Sequence, residues 1–535
     1  MDFRQVHTKD KQPAGSEAMK LQRRLWTAAG FCAALTFLSL GNSMMTGELI
    51  GFSGGEVFGH AWAHWWRGEQ ILDWPEGTDL AVGTLQFPAI DSIPTLISGL
   101  FAQVGGPAFG YNAWVFLAVF LTAFGGYVLS FREKGDPFLG ALVLAWSPLY
   151  LGAVESGLTE DMGLGIVALA IALLKERPIW SGLLMIIVGW CGLVLGWMSG
   201  VLALLVGIRN WWSGSKGMVA SGVITLLGIA PLIYLHWERL SFRGHRFGVH
   251  HDIAEPFWWL NPWKQTDVAS LFWIGGQDYA SEIIRVHPGY IGVSLCIVAL
   301  FSRSFFWWGV FLFFVGISLG GTMYWQGVNT EWWNPVHALS TVIPGQKLLN
   351  HQGRCMLMAA IALSVLVAKG IKYIPRPHIW RGLIALELIF ASPIGVMVSG
   401  TTPIESTILE QVRLEDGRLL RLPSVGPGVS FQKALWEQSV HKEPLLLNPN
   451  RPGVSHLLNN KSSQVEWIER LSFADEPLTK TDCVPDEIGG ILATNGVKEK
   501  LRQRFGEAMA TDDEYAFWSP AELISDRCNS EAQSD

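Results

Sequence analysis

Long apolar runs recur through the first 400 residues and are separated by short polar connections. Such runs match the hydrocarbon core of a bilayer, which about 20 helical residues cross while satisfying their own backbone hydrogen bonds. The pattern predicts about eleven spans, at 25–45, 110–131, 138–154, 161–175, 179–194, 197–208, 218–237, 286–302, 304–321, 353–371 and 379–398. Between Ile179 and Ile208 the 30 residues carry Gly189, Gly192, Gly196 and Gly200, too much apolar chain for one crossing and little for two. A bent or re-entrant pair is expected there.

Beyond residue 400 the period changes. Strands are predicted at 417–422, 444–447, 488–494 and 514–518, and helices at 429–441, 464–472 and 498–509, an alternation that favours a small sheet covered by helices. The chain therefore divides into a tail, 1–24, and a transmembrane domain, 25–400, with a large loop at 46–109. A connector, 401–413, leads to an α/β domain, 414–535. The fold class is a polytopic α-helical membrane protein with a C-terminal periplasmic α/β domain.

Composition agrees with lipid as the main solvent. Half of the residues are hydrophobic, only 16% are charged, against about 25% in a soluble domain, and the mean hydropathy is +0.28. The 26 tryptophans suit membrane interfaces. A net charge of −7 argues against a nucleic-acid partner. Lys and Arg gather in the N-terminal tail and in the short loops holding Arg132 and Lys134, Lys175 and Arg177, Arg209 and Lys216, Arg303, and Lys369 to Arg381. By the positive-inside tendency these are cytoplasmic, with the longer loops and the C-terminus on the other side. The polar segment before the first span is long for a cleavable signal, so that span reads as an anchor. Cys483 and Cys528 share the exported tail, as a disulfide or as two free thiols.

No phosphate loop of the GxxxxGK[ST] type, no CxxC pair and no HExxH helix is present, which disfavours an ATP-driven pump on this chain alone. The loop 46–109 carries seven carboxylates against one base, Arg67. Within it Glu56, His60 and His64 recur every fourth residue, one face of a helix. A carboxylate with two imidazoles suits a divalent metal (Mg or Mn) or a general base. The plainer alternative is an interfacial helix anchored in the headgroups by Trp62, Trp65 and Trp66. A second outer loop, AVESGLTEDMG, packs Glu155, Glu160 and Asp161 together at a span boundary, where charge is costly unless paired or solvated. A basic cluster containing Arg243, Arg246, His250 and His251 follows a span on the outer side and suits an anionic group or lipid headgroups. Arg354, with Lys347 nearby, stands at the mouth of a later span and either snorkels or meets a phosphate.

The order of these pieces resembles the GT-C-type membrane glycosyltransferases, and more narrowly bacterial relatives grouped with the YfhO-like proteins. The resemblance rests on Gly55-Glu56 followed by HAWAHWW and LQFP, on GPAFGYNAWVFL, on IPGQKLLNHQGRCMLMAAIAL before a late span, and on LLRLP and ILATNG in the tail. Glu56 stands where relatives often have Asp. Asn350 and Gln352 replace an Arg and a Pro, leaving Arg354 alone. The resemblance implies a bacterial inner-membrane enzyme that moves a sugar from a polyprenyl-phosphate-linked donor to a glycan or protein acceptor. It implies Glu56 as the proton acceptor, Glu160 or Asp161 as the group orienting the acceptor, and the arginines as phosphate ligands. Two other classes fit the span pattern: a transporter or lipid flippase, and a non-catalytic scaffold of an envelope complex.

Overall fold

Apolar runs become helices because a helix is the cheapest way to bury a backbone in lipid; the described part of each predicted span is largely helical, and the one at 138–154 is broken into two helices. The structure, a computed structural model, describes residues 14–52, 57–72, 92–212, 214, 217–235, 271, 291–325, 328–340, 342–343, 352–390, 396–404, 406–412, 414, 418–422, 433, 436–440, 488–505 and 507–519. The bundle comprises α1 (Ala14–Thr46), α3 (Ser92–Arg132), α4 (Pro137–Ala145), α5 (Pro148–Glu155), α6 (Leu164–Leu173), α7 (Pro178–Cys191), α8 (Leu193–Trp212) and α9 (Gly217–Leu235). It continues with α10 (Val293–Leu300), α11 (Phe305–Ser318), α13 (Met356–Gly370) and α14 (Pro377–Phe390). A further helix, α2 (Val57–Leu72), lies in the first loop, and α12 (Pro335–Ser340) follows a hairpin of β2 (Thr322–Trp325) and β3 (Val328–Trp333).

Among the described residues five helices are long and apolar enough to cross a bilayer, and α4 with α5, bent by 43°, makes a sixth if counted as one span. Three more, α6, α7 and α11, are apolar but shorter. The chain is a multi-pass membrane protein. Its central helix is α13, in which every residue from Met356 to Ala368 is buried. Close crossings are made by small residues, as membrane bundles favour: a Cβ on Gly125 would lie 2.4 Å from the carbonyl oxygen of Gly165.

The predicted bent pair is two antiparallel helices. The chain reverses at Gly192, whose backbone is extended (φ −175°, ψ 132°), and Gly189 meets Gly196 across the turn. Gly192 lies against Glu160, while Arg209 at the far end of α8 bonds Glu133 at 2.6 Å. Both helices therefore traverse the bundle.

The loops grouped by their Lys and Arg converge at one end. There Arg132 pairs with Glu176, and Glu133 takes Arg209 and, at 3.4 Å, Lys369. Burial would raise the Glu133 carboxyl, but the two cations outweigh it and hold the group below its usual range. Asp136 caps α4, accepting from Phe138 N and Leu139 N at 3.1 and 3.2 Å with Pro137 in the first turn. Its second oxygen takes Arg381 at 2.6 Å.

At the opposite end β1 (Leu49–Ile50) pairs antiparallel with β4 (Gly400–Thr401), joining the first loop to the connector. Asn112 braces the pair, accepting from Ile50 N at 2.9 Å and donating to Glu48 O at 2.7 Å.

The C-terminal residues form a four-stranded sheet in the order β5 (Arg418–Leu422), β6 (Ile488–Thr494), β8 (Tyr515–Trp518), β7 (Ala510–Thr511). Only β5 and β6 are parallel. The last predicted helix, 498–509, lies a few residues earlier, running as α15 (Asn495–Phe505), and residues 510–511 form an edge strand that the sequence pattern did not predict. The predicted elements at 444–447 and 464–472 lie outside the described residues. All four residues of β8 are buried, since this strand is covered on both faces.

One expectation is corrected. Trp62, Trp65 and Trp66 do not anchor α2 in headgroups; they are buried in the same apolar cluster as Leu419, Ile491, Phe517 and Trp518 of the sheet. Trp62 donates its indole N–H to Gln438 Oε1 at 3.0 Å. An aromatic face that reads as lipid-seeking is satisfied by protein.

Candidate functional site

The loop between α5 and α6 turns at the end of the bundle opposite the basic loops, and Arg354 enters the same end on a short 3-10 turn, Gln352–Cys355, that leads into α13. Arg354 Nη2 lies 2.8 Å from Glu160 Oε1, and its Nε lies 3.3 Å from Asp161 Oδ2. Asp161 is 2% exposed and Glu160 and Arg354 are largely buried. Burial raises the cost of ionising Glu160, yet the Arg354 and His60 charges outweigh it and hold its carboxyl below the usual range.

His60, on α2, reaches the loop through a 2.8 Å hydrogen bond between its Nδ1 and Thr159 Oγ1. The contact is possible because Gly157, at φ +75°, lets the loop approach so closely that a Cβ there would lie 2.7 Å from Val57 N. His64, one turn further, faces away. Its Nδ1 shares a 2.7 Å hydrogen bond with Ser98 Oγ and its ring packs beside Tyr111 at 5.6 Å. Burial, with His60 adding to it, holds His64 well below the ordinary imidazole value. The two imidazoles are thus committed to different partners. Among the described residues no three His, Cys, Asp or Glu side chains converge as metal ligands.

Glu155 closes the cluster on the connector side. Its carboxylate accepts from Ser399 N at 2.7 Å and from the Ser399 hydroxyl, and its carbonyl accepts from Phe52 N at 2.9 Å. Three segments, namely the first loop, the 155–163 loop and the connector, are stitched together around it.

Of the residues singled out in the sequence, Glu160, Asp161, Arg354 and His60 come together and His64 stands one helical turn aside. Glu56, Lys347, Arg243, Arg246, His250 and His251 lie outside the described residues. Thr159, Ser399 and Ser98 carry no motif; their role shows only in their partners. The pairing of Arg354 with Glu160 and Asp161 unites groups that the sequence offers separately, as carboxylates and as a phosphate ligand.

No family model matches the chain, and no curated protein matches it. Among solved structures the chain is similar to the crystal structure of ArnT from Cupriavidus metallidurans bound to undecaprenyl phosphate. The two are 11% identical, with a TM-score of 0.39, covering 94% of this chain and 99% of that one.

Proposed function

We propose that the chain is a GT-C-like membrane glycosyltransferase with about eleven spans. It moves a sugar from a polyprenyl-phosphate-linked donor to a glycan or protein acceptor on the periplasmic face of a bacterial inner membrane. The observation that carries this reading is the Arg354–Glu160–Asp161 cluster beside His60, at the end of the bundle away from the basic loops. A sugar leaving a lipid phosphate needs a cation where negative charge develops and a carboxylate to take the acceptor's proton. A guanidinium has five N–H donors in a fixed fork, so carboxylates can hold Arg354 in register while it also addresses a phosphate oxygen. In this reading Glu56 accepts the proton, Glu160 or Asp161 orients the acceptor, and Arg243, Arg246, His250, His251 and Lys347 supplement the phosphate site.

A transporter would place charge within the spans. The apolar helix α14 does carry Glu387, but that carboxylate accepts from Val293 N, Ser294 N and Leu295 N at 2.6, 2.8 and 3.3 Å. It caps α10, a structural duty.

Mass spectrometry of lipid co-purified with the protein tests the proposal. A bound polyprenyl phosphate, lost in Arg354→Gln, is expected together with loss of sugar transfer in Glu56→Gln. Transfer left intact by Glu56→Gln would remove the assignment.

A further inference from the structure

Helix α3 is broken at Gly106 (φ 81°, ψ 175°), just before Pro107. Residues 98 and 110 would stand about 18 Å apart on an unbroken helix, at 1.5 Å per residue. Instead a Cβ on Gly110 would lie 2.4 Å from Ser98 O and 2.7 Å from Ala102 Cβ. The arm 92–105 therefore folds back over the start of the span that follows it.

This arm is amphipathic in the wrong sense for water. Its buried side consists of Ser92, Pro94, Thr95, Ser98, Gly99 and Ala102, and Ser98 is held by His64. Its exposed side carries Leu96, Leu100, Phe101 and Val104, the last 84% exposed, with Gln103 as the one polar side chain among them. In water, turning hydroxyls inward and large apolar groups outward is uphill, at about 25 cal/mol per Å² of apolar surface left wet. In hydrocarbon the same arrangement is favourable, because hydroxyls must find partners inside the protein while Leu and Val are solvated by lipid. The exposed apolar surface also continues across the turn: Phe101 meets Phe109 edge to face at 6.3 Å, and Phe109 belongs to the span.

We infer that residues 92–105 are a membrane-immersed arm whose Leu96, Leu100, Phe101 and Val104 face the acyl chains of the leaflet on the Glu160–Arg354 side. Acyl chains, rather than water, are then the outer neighbour of α2. The path from lipid to the carboxylates runs from Ser98 to His64, along one turn of α2, and from His60 to Thr159.

Nitroxide labels placed in the full-length protein in phospholipid vesicles test this. Leu100→Cys and Val104→Cys remove only exposed side chains, so folding is retained, and wild type carried through the same labelling reaction sets the background from native thiols. Collision with oxygen is expected to exceed collision with a water-soluble nickel chelate at both positions, as at Leu227→Cys on the exposed face of α9. The opposite preference is expected at Met509→Cys in the tail. Chelate accessibility at either arm position equal to that at Met509→Cys would overturn the inference. The readout is lipid contact, so its outcome is independent of whether the protein transfers sugar.

Discussion

Arg354 shows what a single buried charge demands. Taking away one member of a buried ion cluster leaves the others uncompensated, at a cost of roughly 3–5 kcal/mol. Arg354→Leu is accordingly expected to lower the unfolding temperature in detergent by several degrees, whereas in the double variant with Glu160→Gln part of the loss returns. His64 supplies a pH signature. In the folded protein the ring is held neutral by burial, and a protonated ring would bring its buried Nε2–H no acceptor among the described residues. The unfolded chain binds a proton near pH 6.5, so stability is full above that value. It falls as pH drops below it, by up to about 1.4 kcal/mol per pH unit until the folded ring itself protonates. Melting curves between pH 7.5 and 5.5 should show this slope, and His64→Gln should flatten it. At this scale the chemistry-bearing residue types were legible, since Glu, Asp and Arg at span ends are rare enough to stand out. Their pairing was not, because nothing along the chain couples position 160 to position 354.

Helix α2 works through two faces. One carries His60 to the acidic loop, and the other carries Trp62, Trp65 and Trp66 into the sheet. Trp62→Ala is expected to cost about 3–5 kcal/mol, as for other buried large-to-small changes, and to loosen the C-terminal sheet from the membrane domain. Limited proteolysis with and without the substitution would check it. The hydropathy pattern could not separate this role from interfacial anchoring, because an indole stripe looks the same whether lipid or protein covers it. The arm of α3 was hidden for a related reason: its Ser and Thr positions dilute the apolar run, so the span reads as beginning near residue 110. Gly110→Ala tests the fold-back directly. The added methyl meets the Ser98 carbonyl, and overpacking of this sort costs about 1–3 kcal/mol, measurable as a lower midpoint in thermal unfolding.

For the whole molecule, the sorting of charge was the most legible property. The loops grouped by Lys and Arg meet at one end of the bundle as three sets of ion pairs: Arg132 with Glu176, Glu133 with Arg209 and Lys369, and Asp136 with Arg381. Positive residues stay cytoplasmic, so a membrane-impermeant maleimide is expected to label Met509→Cys in intact spheroplasts and Lys372→Cys only after lysis. Reversed labelling would invert the topology. The two-residue pairing of β1 with β4 carries a consequence for how such a chain is made. Thr401 donates to Gly51 across 350 residues of sequence, so during synthesis the first loop waits, its strand edge unpaired, until the ribosome has delivered the connector and every span between them has inserted. The acidic end of the bundle is therefore the last part of the membrane domain to close, and a nascent chain stopped short of residue 400 should expose it to proteases and chaperones on the outer face.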